Sequence, residues 1–203
     1  MVLLLTNYLR TSNKKKKIIG NYNSSAPFYD KRYRLIQEEK YLKTLDNLFL
    51  KGKRILDAGC GTGLLFEFIL KSGVFKRSIS CHYVGLDISK KMLTEFKVKL
   101  LKSKIKANVF LILSDIENLP FRENIFNAIF SFTSFQNLPN YREGFQEIFR
   151  VALKYSDLKL SILKKKLEVT TLSNFLNPYL TDLEITNEER LEDIIIQGKI
   201  SKP

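Results

Sequence analysis

Residues 55–65 read ILDAGCGTGLL. An apolar run ends in Asp57, Gly59, Gly61 and Gly63 follow, and a second apolar run starts at Leu64. A short apolar run closed by a glycine-rich turn reads as a buried strand, and the run after it as a helix. A strand that hands the chain straight to a helix is covered on both faces. The surrounding pattern must therefore supply a parallel sheet with helices packed on it.

The rest of the chain fits that demand. KRILDAG, CHYVGLD, NVFLILSD, IFNAIFSF and LKLSILKK read as strands near 53–59, 81–87, 108–115, 125–132 and 158–165. Helical spacing appears over 28–50, where Tyr33, Ile36, Tyr41, Leu45 and Leu48 recur and Gly52 ends the run, and again over 62–72, stopped by Gly73. Ser89 is placed to cap a helix carrying Met92, Phe96 and Leu100 on one face. Asn140 and Glu143 outline a capping box ahead of Phe145, Ile148, Phe149 and Ala152. A short helix near 168–176 precedes two further strands, LTDLEIT (180–186) and LEDIIIQGKI (191–200), joined across NEER. The predicted architecture is α/β: a Rossmann-like, seven-stranded, mostly parallel sheet, with helices on both faces and an antiparallel C-terminal edge hairpin. Residues 1–25, with Lys14–Lys17 and a polar NYNSS stretch, read as a flexible basic arm, and 26–203 as one domain.

The 203 residues include two cysteines, Cys60 and Cys81, too few for a disulfide framework or a zinc site. No apolar stretch reaches the roughly 20 residues of a membrane span, and MVLLL is too short for a signal-peptide core. The expectation is a cytoplasmic protein with no membrane partner. The net charge is +13, and residues 1–54 hold 13 Lys/Arg against 4 Asp/Glu. That bias keeps a polyanionic partner such as RNA open, beside the plain alternative of a lysine-rich composition.

Asp57, Asp87 and Asp115 each end a predicted strand at the edge where open α/β sheets bind ligands. A dinucleotide loop would read G-x-G-x-x-G. Here Leu64 stands where the last glycine belongs, and Asp57 would repel a pyrophosphate. A cationic ligand without phosphate fits better. S-adenosylmethionine (SAM) has an ammonium and a sulfonium centre, and a carboxylate suited to a helix N-terminus.

From about Phe28 to Leu163 the chain resembles class I SAM-dependent methyltransferases of the type 11 group, which includes ubiquinone/menaquinone-biosynthesis methyltransferases. ILDAGCGTG, VGLDIS, SDIENLPF and FNAIFSFTSFQNLPN stand, in order, for four family motifs, and EIFRVALKYSDLKLSI for the segment that leads into strand five. The resemblance implies that Asp57, Gly59, Cys60, Gly61 and Gly63 surround the methionine end of SAM. It implies that Asp87 accepts both ribose hydroxyls, that Ile88 and Met92 line the adenine pocket, and that Asp115 and Ile116 contact the adenine. Tyr29 matches a tyrosine that closes over the cofactor. Phe132, Gln136 and Asn137 fall on the substrate side.

Three departures stand out. Asn127 replaces a common Asp, Gln136 and Asn137 replace a frequent His-His pair, and Lys154, Tyr155, Ser156 and Asp157 replace a Lys-Pro-Gly-Gly turn. No residue qualifies as a catalytic base. His82, the single histidine, lies inside the second strand, and Cys60 reads as a small loop residue. The reaction implied is methyl transfer to an unidentified acceptor, a small metabolite or RNA. The short segment after strand five also admits a small activating partner protein. The alternative is a SAM-binding module that serves as a scaffold without catalysis.

Overall fold

The computed structural model describes residues 4–6, 13–45, 49–72, 81–103, 108–166 and 168–202. Among the described residues eight strands form one sheet: β1 (Leu4–Thr6), β2 (Arg54–Ala58), β3 (His82–Asp87), β4 (Asn108–Leu113), β5 (Phe126–Phe132), β6 (Ala152–Leu163), β7 (Leu180–Thr186) and β8 (Asp193–Ile200). Their order is β1-β4-β3-β2-β5-β6-β8-β7, parallel through β6, with β8 antiparallel to both of its neighbours. The seven expected strands are all present. β1 is an eighth, taken from the segment read as an arm.

The helices are α1 (Asn13–Ser25), α2 (Tyr29–Thr44), α3 (Leu64–Lys71), α4 (Lys90–Ser103), α5 (Tyr141–Val151) and α6 (Val169–Leu176). Alternation along the strands sorts apolar side chains to the two faces. In β2, Ile55 packs with Tyr41 of α2, Leu65 and Ile69 of α3 and Phe96 of α4. Its neighbour Leu56 packs in the opposite cluster, with Phe145 and Ile148 of α5 and Leu172 and Leu176 of α6. Ser89 and Asn140 both cap as expected, the Met92 amide donating to Ser89 Oγ (3.2 Å) and the Arg142 amide to Asn140 Oδ1 (3.1 Å), but the capping box is not completed, because the Asn140 amide donates to Glu117 (2.5 Å) rather than to Glu143.

Three expectations are corrected. Over 13–25 the supposed arm is a helix, docked on the sheet edge. Its apolar residues are sparse, so it lacks an amphipathic signal, and polar contacts to distant residues hold it. Second, α2 ends at Thr44 rather than running on to 50. Residues 46–48, like the expected helix stop at Gly73, lie outside the described residues. Third, β6 begins at Ala152, immediately after α5, rather than near 158. Lys154–Asp157 make no reverse turn. They form an irregular stretch in which Tyr155 has a φ of 62° and the pairing with β5 jumps from Phe126–Ala152 to Ala128–Asp157. Asp157 is anchored there by Lys53 (2.5 Å) and Lys199. Asn127 does structural work, since its Oδ1 accepts from the Arg54 amide (3.0 Å) and ties β5 to β2.

Candidate cofactor and active site

The carboxyl ends of β2, β3, β4 and β5 open onto a cleft. The glycine loop after β2 forms its floor. The Gly59 and Cys60 amides donate to the Leu86 carbonyl (2.7 and 2.9 Å), and the Gly61 amide donates to Asp87 Oδ2 (2.9 Å). These loop amides are therefore spent within the protein, where a phosphate cradle would leave them free.

Gly61 has a φ of 54°, and a Cβ built on it would meet no protein atom within 4 Å, so its missing side chain leaves space on the cleft. Gly63 differs. It caps α3 in the left-handed region, where a Cβ would lie 2.3 Å from the Phe96 ring. Gly63 lets α3 and α4 pack closely and does not line the cleft.

Asp87 has each oxygen engaged once by the backbone, Oδ2 by Gly61 and Oδ1 by the Ser89 amide (2.8 Å). Each oxygen keeps a lone pair for a further donor. Burial raises the Asp87 carboxyl to about 6, against the backbone donors that lower it. Ile88, Met92, Ser114, Asp115 and Ile116 continue this wall. Asp115 closes a turn, with Oδ1 accepting from the Glu117 amide (3.0 Å).

A second cavity of about 320 Å³ adjoins the first and shares Tyr29, Gly59, Gly61 and Phe132 with it. Asp57, Cys60 and Gln37 line it. Asp57 is almost fully buried, and Tyr83 donates to its Oδ2 (2.5 Å). Burial pushes this carboxyl up to about 7 despite that bond. Gln37 Oε1 is buried and has no partner among the described residues. The lining of this cavity thus carries an acidic group and a residue whose amide oxygen is left unpartnered. Burial likewise holds the Cys60 thiol well above its ordinary value, which leaves it inert as a nucleophile.

The roof was not legible in the sequence. Lys15, Ile18 and Tyr22 of α1 line the cleft. Lys15 pairs with Asp115 and Glu117, Lys14 donates to the Leu138 carbonyl (2.5 Å), and the Asn137 amide group donates to the Tyr22 hydroxyl (2.8 Å). The Ser89 hydroxyl donates to Asn23 Oδ1 (2.8 Å) and completes the docking. The only local hint is Ile18 and Tyr22, one turn apart. α2 is fastened in turn, since the Thr62 hydroxyl of the glycine loop donates to Asp30 Oδ1 (2.5 Å).

Phe132, Thr133, Ser134, Asn137, Leu138 and Pro139 form the far wall. Gln136 is not brought to the cleft; it donates to the Thr133 carbonyl (2.5 Å). Thr133, at a φ of 56°, sits over a buried ion pair between Lys40 of α2 and Asp193 of β8 (2.8 Å). Lys40 donates to Thr133 Oγ1 (2.8 Å), whose hydroxyl donates to Asp193 (2.9 Å), as does that of Ser161 (2.7 Å). The network locks this wall to the sheet. His82 begins β3, exposed and away from the cleft.

Residues 55–154, which hold the glycine loop and the three strand-end acids, match the family of methyltransferase domains. Over that span the chain is similar to a methyltransferase domain. The fold is that of class I SAM-dependent methyltransferases, as comparison with solved structures shows. A magnesium protoporphyrin IX methyltransferase from Synechocystis PCC 6803, solved with bound SAM, superposes with a TM-score of 0.72 at 17% identity, over 96% of this chain and all of that one. A Haloferax volcanii methyltransferase-fold protein, solved in complex with the activator Trm112, gives a TM-score of 0.65 at 11% identity, over 96% and 100%. In sequence, the domain is 29% identical to a demethylmenaquinone methyltransferase of Geobacillus sp. (strain WCH70), over 68% of this chain and 59% of that protein. It is also 29% identical to the bifunctional biotin-biosynthesis protein BioHC of Teredinibacter turnerae, over 71% of this chain and 26% of that protein. The chain thus spans less than two thirds of the curated relatives it matches. No described helix is long and apolar enough to cross a membrane.

Proposed function

We propose that the protein is a SAM-dependent methyltransferase acting on a small metabolite. The observation that carries the cofactor is the pairing of acceptors with spent amides. Asp57 and Asp87 line the two cavities, with Gln37 beside Asp57, while the Gly59, Cys60 and Gly61 amides that could hold a phosphate are bonded within the protein.

In this reading Asp87 accepts the ribose hydroxyls, and Ile88, Met92, Asp115 and Ile116 receive the adenine. Asp57, Gly59, Cys60, Gly61 and Tyr29 enclose the methionine end. The cofactor supplies an already activated sulfonium methyl. The task left to the protein is to exclude water and hold the acceptor in line, and such orientation can supply about 7–11 kcal/mol. Phe132, Thr133, Ser134 and Asn137, with Tyr22 opposite, form the acceptor wall. None is a charged base, which suits a nucleophile that needs no strong base.

The roof favours a small acceptor over RNA. Lys15 and Lys14, half of the lysine run offered for a polyanion, instead tie α1 across the cleft. An expected small activating partner has the support of one fold neighbour solved with an activator, but α1 already covers this cleft from within the chain. Labelled SAM incubated with the protein and a fractionated extract tests the proposal. Label in the small-molecule fraction supports it, label in RNA overturns the acceptor class, and no label with intact SAM binding supports a scaffold instead.

A further inference from the structure

The inner face of α2 meets the cleft and the sheet, while its outer face carries an apolar stripe with no partner among the described residues. Phe28, Leu35 and Leu42 are exposed at 71%, 81% and 67%. They recur every seven residues, so they drift only about 20° per step around the helix. They lie opposite Gln37, Lys40, Tyr41 and Thr44, which are buried. A row of large exposed apolar side chains of this kind marks an interaction surface.

The charges beside the stripe specify what covers it. Lys31 and Arg32 flank its first half, and Glu38 and Glu39 its second. Lys31, Arg32 and Glu39 are exposed; Glu38 is half-buried, with Arg34 at 3.7 Å. Two copies of α2 laid antiparallel about a two-fold axis at Leu35 bring Phe28 against Leu42 of the partner subunit. The same axis sets Lys31 beside Glu38 of the partner subunit on one flank, and Arg32 beside Glu39 of the partner subunit on the other. Both basic residues that flank the stripe then meet an acidic one, and the two-fold axis repeats each contact. A parallel pairing would set like charges level with each other. We propose that the protein forms an isologous dimer through the outer face of α2, with a second copy of this chain as the occupant.

Sedimentation equilibrium of the full chain at 1–100 µM tests it, the range being set on the order of weak single-helix interfaces. The wild type is expected at twice the 23.6 kDa chain mass at the upper end. Leu35→Glu should halve that mass. Lys31→Glu with Arg32→Glu should also give a monomer, as should Glu38→Lys with Glu39→Lys. Mixing the two charge-reversed proteins should restore the dimer, a result that a misfolded variant cannot produce. A monomeric wild type throughout the range, a dimer that survives Leu35→Glu, or a mixture that stays monomeric overturns the proposal. A monomer that instead binds anionic phosphatidylserine vesicles through this face overturns it in favour of a membrane surface.

Discussion

Lys15 and Asp115 are a hundred residues apart in sequence and form an ion pair at the mouth of the cleft, with Glu117 as the second acceptor. All three side chains are nearly buried. The pair joins the roof helix to the end of β4, so the segment that looks like a tail in sequence is part of the site.

Replacing Lys15 with Ala leaves two buried carboxylates without their cation. Breaking a buried pair costs about 3–5 kcal/mol when the whole fold must bear it. Here α1 can release first, so the cost is expected as local opening. Hydrogen exchange should quicken across 13–25 while the amides of β2 and β5 stay protected. Uniformly faster exchange would mean that α1 is integral to global stability.

Asp87→Ala should weaken SAM binding about ten- to a hundredfold, since hydrogen bonds to a charged group contribute roughly 1.5–3 kcal/mol. Titration calorimetry of both proteins reads this directly. Unchanged affinity would remove Asp87 from the cofactor site.

Gly61→Ala puts a methyl group into space that only a ligand would occupy. The positive φ adds roughly 1–2 kcal/mol of strain, so the melting temperature should drop by a few degrees while SAM affinity falls at least about tenfold. Equal affinity in the two proteins would show that the loop does not closely approach the ligand.

The acids give opposite pH trends for binding and stability. Asp57 and Asp87 are raised by burial to about 7 and about 6. A cationic ligand needs Asp57 ionised, so SAM affinity should rise between pH 5.5 and 8. Without ligand the sign reverses. A raised carboxyl binds more protons folded than unfolded, so its contribution to stability is full below about 4 and is lost as pH climbs through 6 to 7. Calorimetry across that range, paired with urea melts, separates the two trends. A flat binding profile would place the cation elsewhere.

Lys40→Met should destabilise the fold by about 3–5 kcal/mol, because Asp193 is left buried without its counter-charge. Lys40→Met combined with Asp193→Leu should recover most of that loss, as read from urea midpoints. A double variant that loses as much as the two single variants added together would show that the pair is not coupled.

Several of these features were legible in the sequence because their signals are local. A strand that ends in an acid, a glycine that must take a positive φ, and the caps at Ser89 and Asn140 each depend on neighbours a few residues away. The placement of Asp57, Asp87 and Asp115 at one edge of the sheet follows from topology once the strands are known, since parallel strands deliver their carboxyl ends to one edge. Gly63 and Gln136 were misplaced for the complementary reason. Both stand in stretches expected to meet a ligand, yet Gly63 faces the Phe96 ring and Gln136 turns back on the Thr133 carbonyl.

The sequence alone determined the parallel sheet, its glycine loop and the acidic strand ends, because periodicity and backbone chemistry act over short spans. Only the tertiary structure decided that residues 13–25 form a roof, that β1 adds an eighth strand, and that Lys40 reaches Asp193 beneath Thr133. Those outcomes rest on charges and strand edges that meet across tens to more than a hundred residues. Such contacts become favourable only when the rest of the fold has already brought the partners together and excluded water from between them.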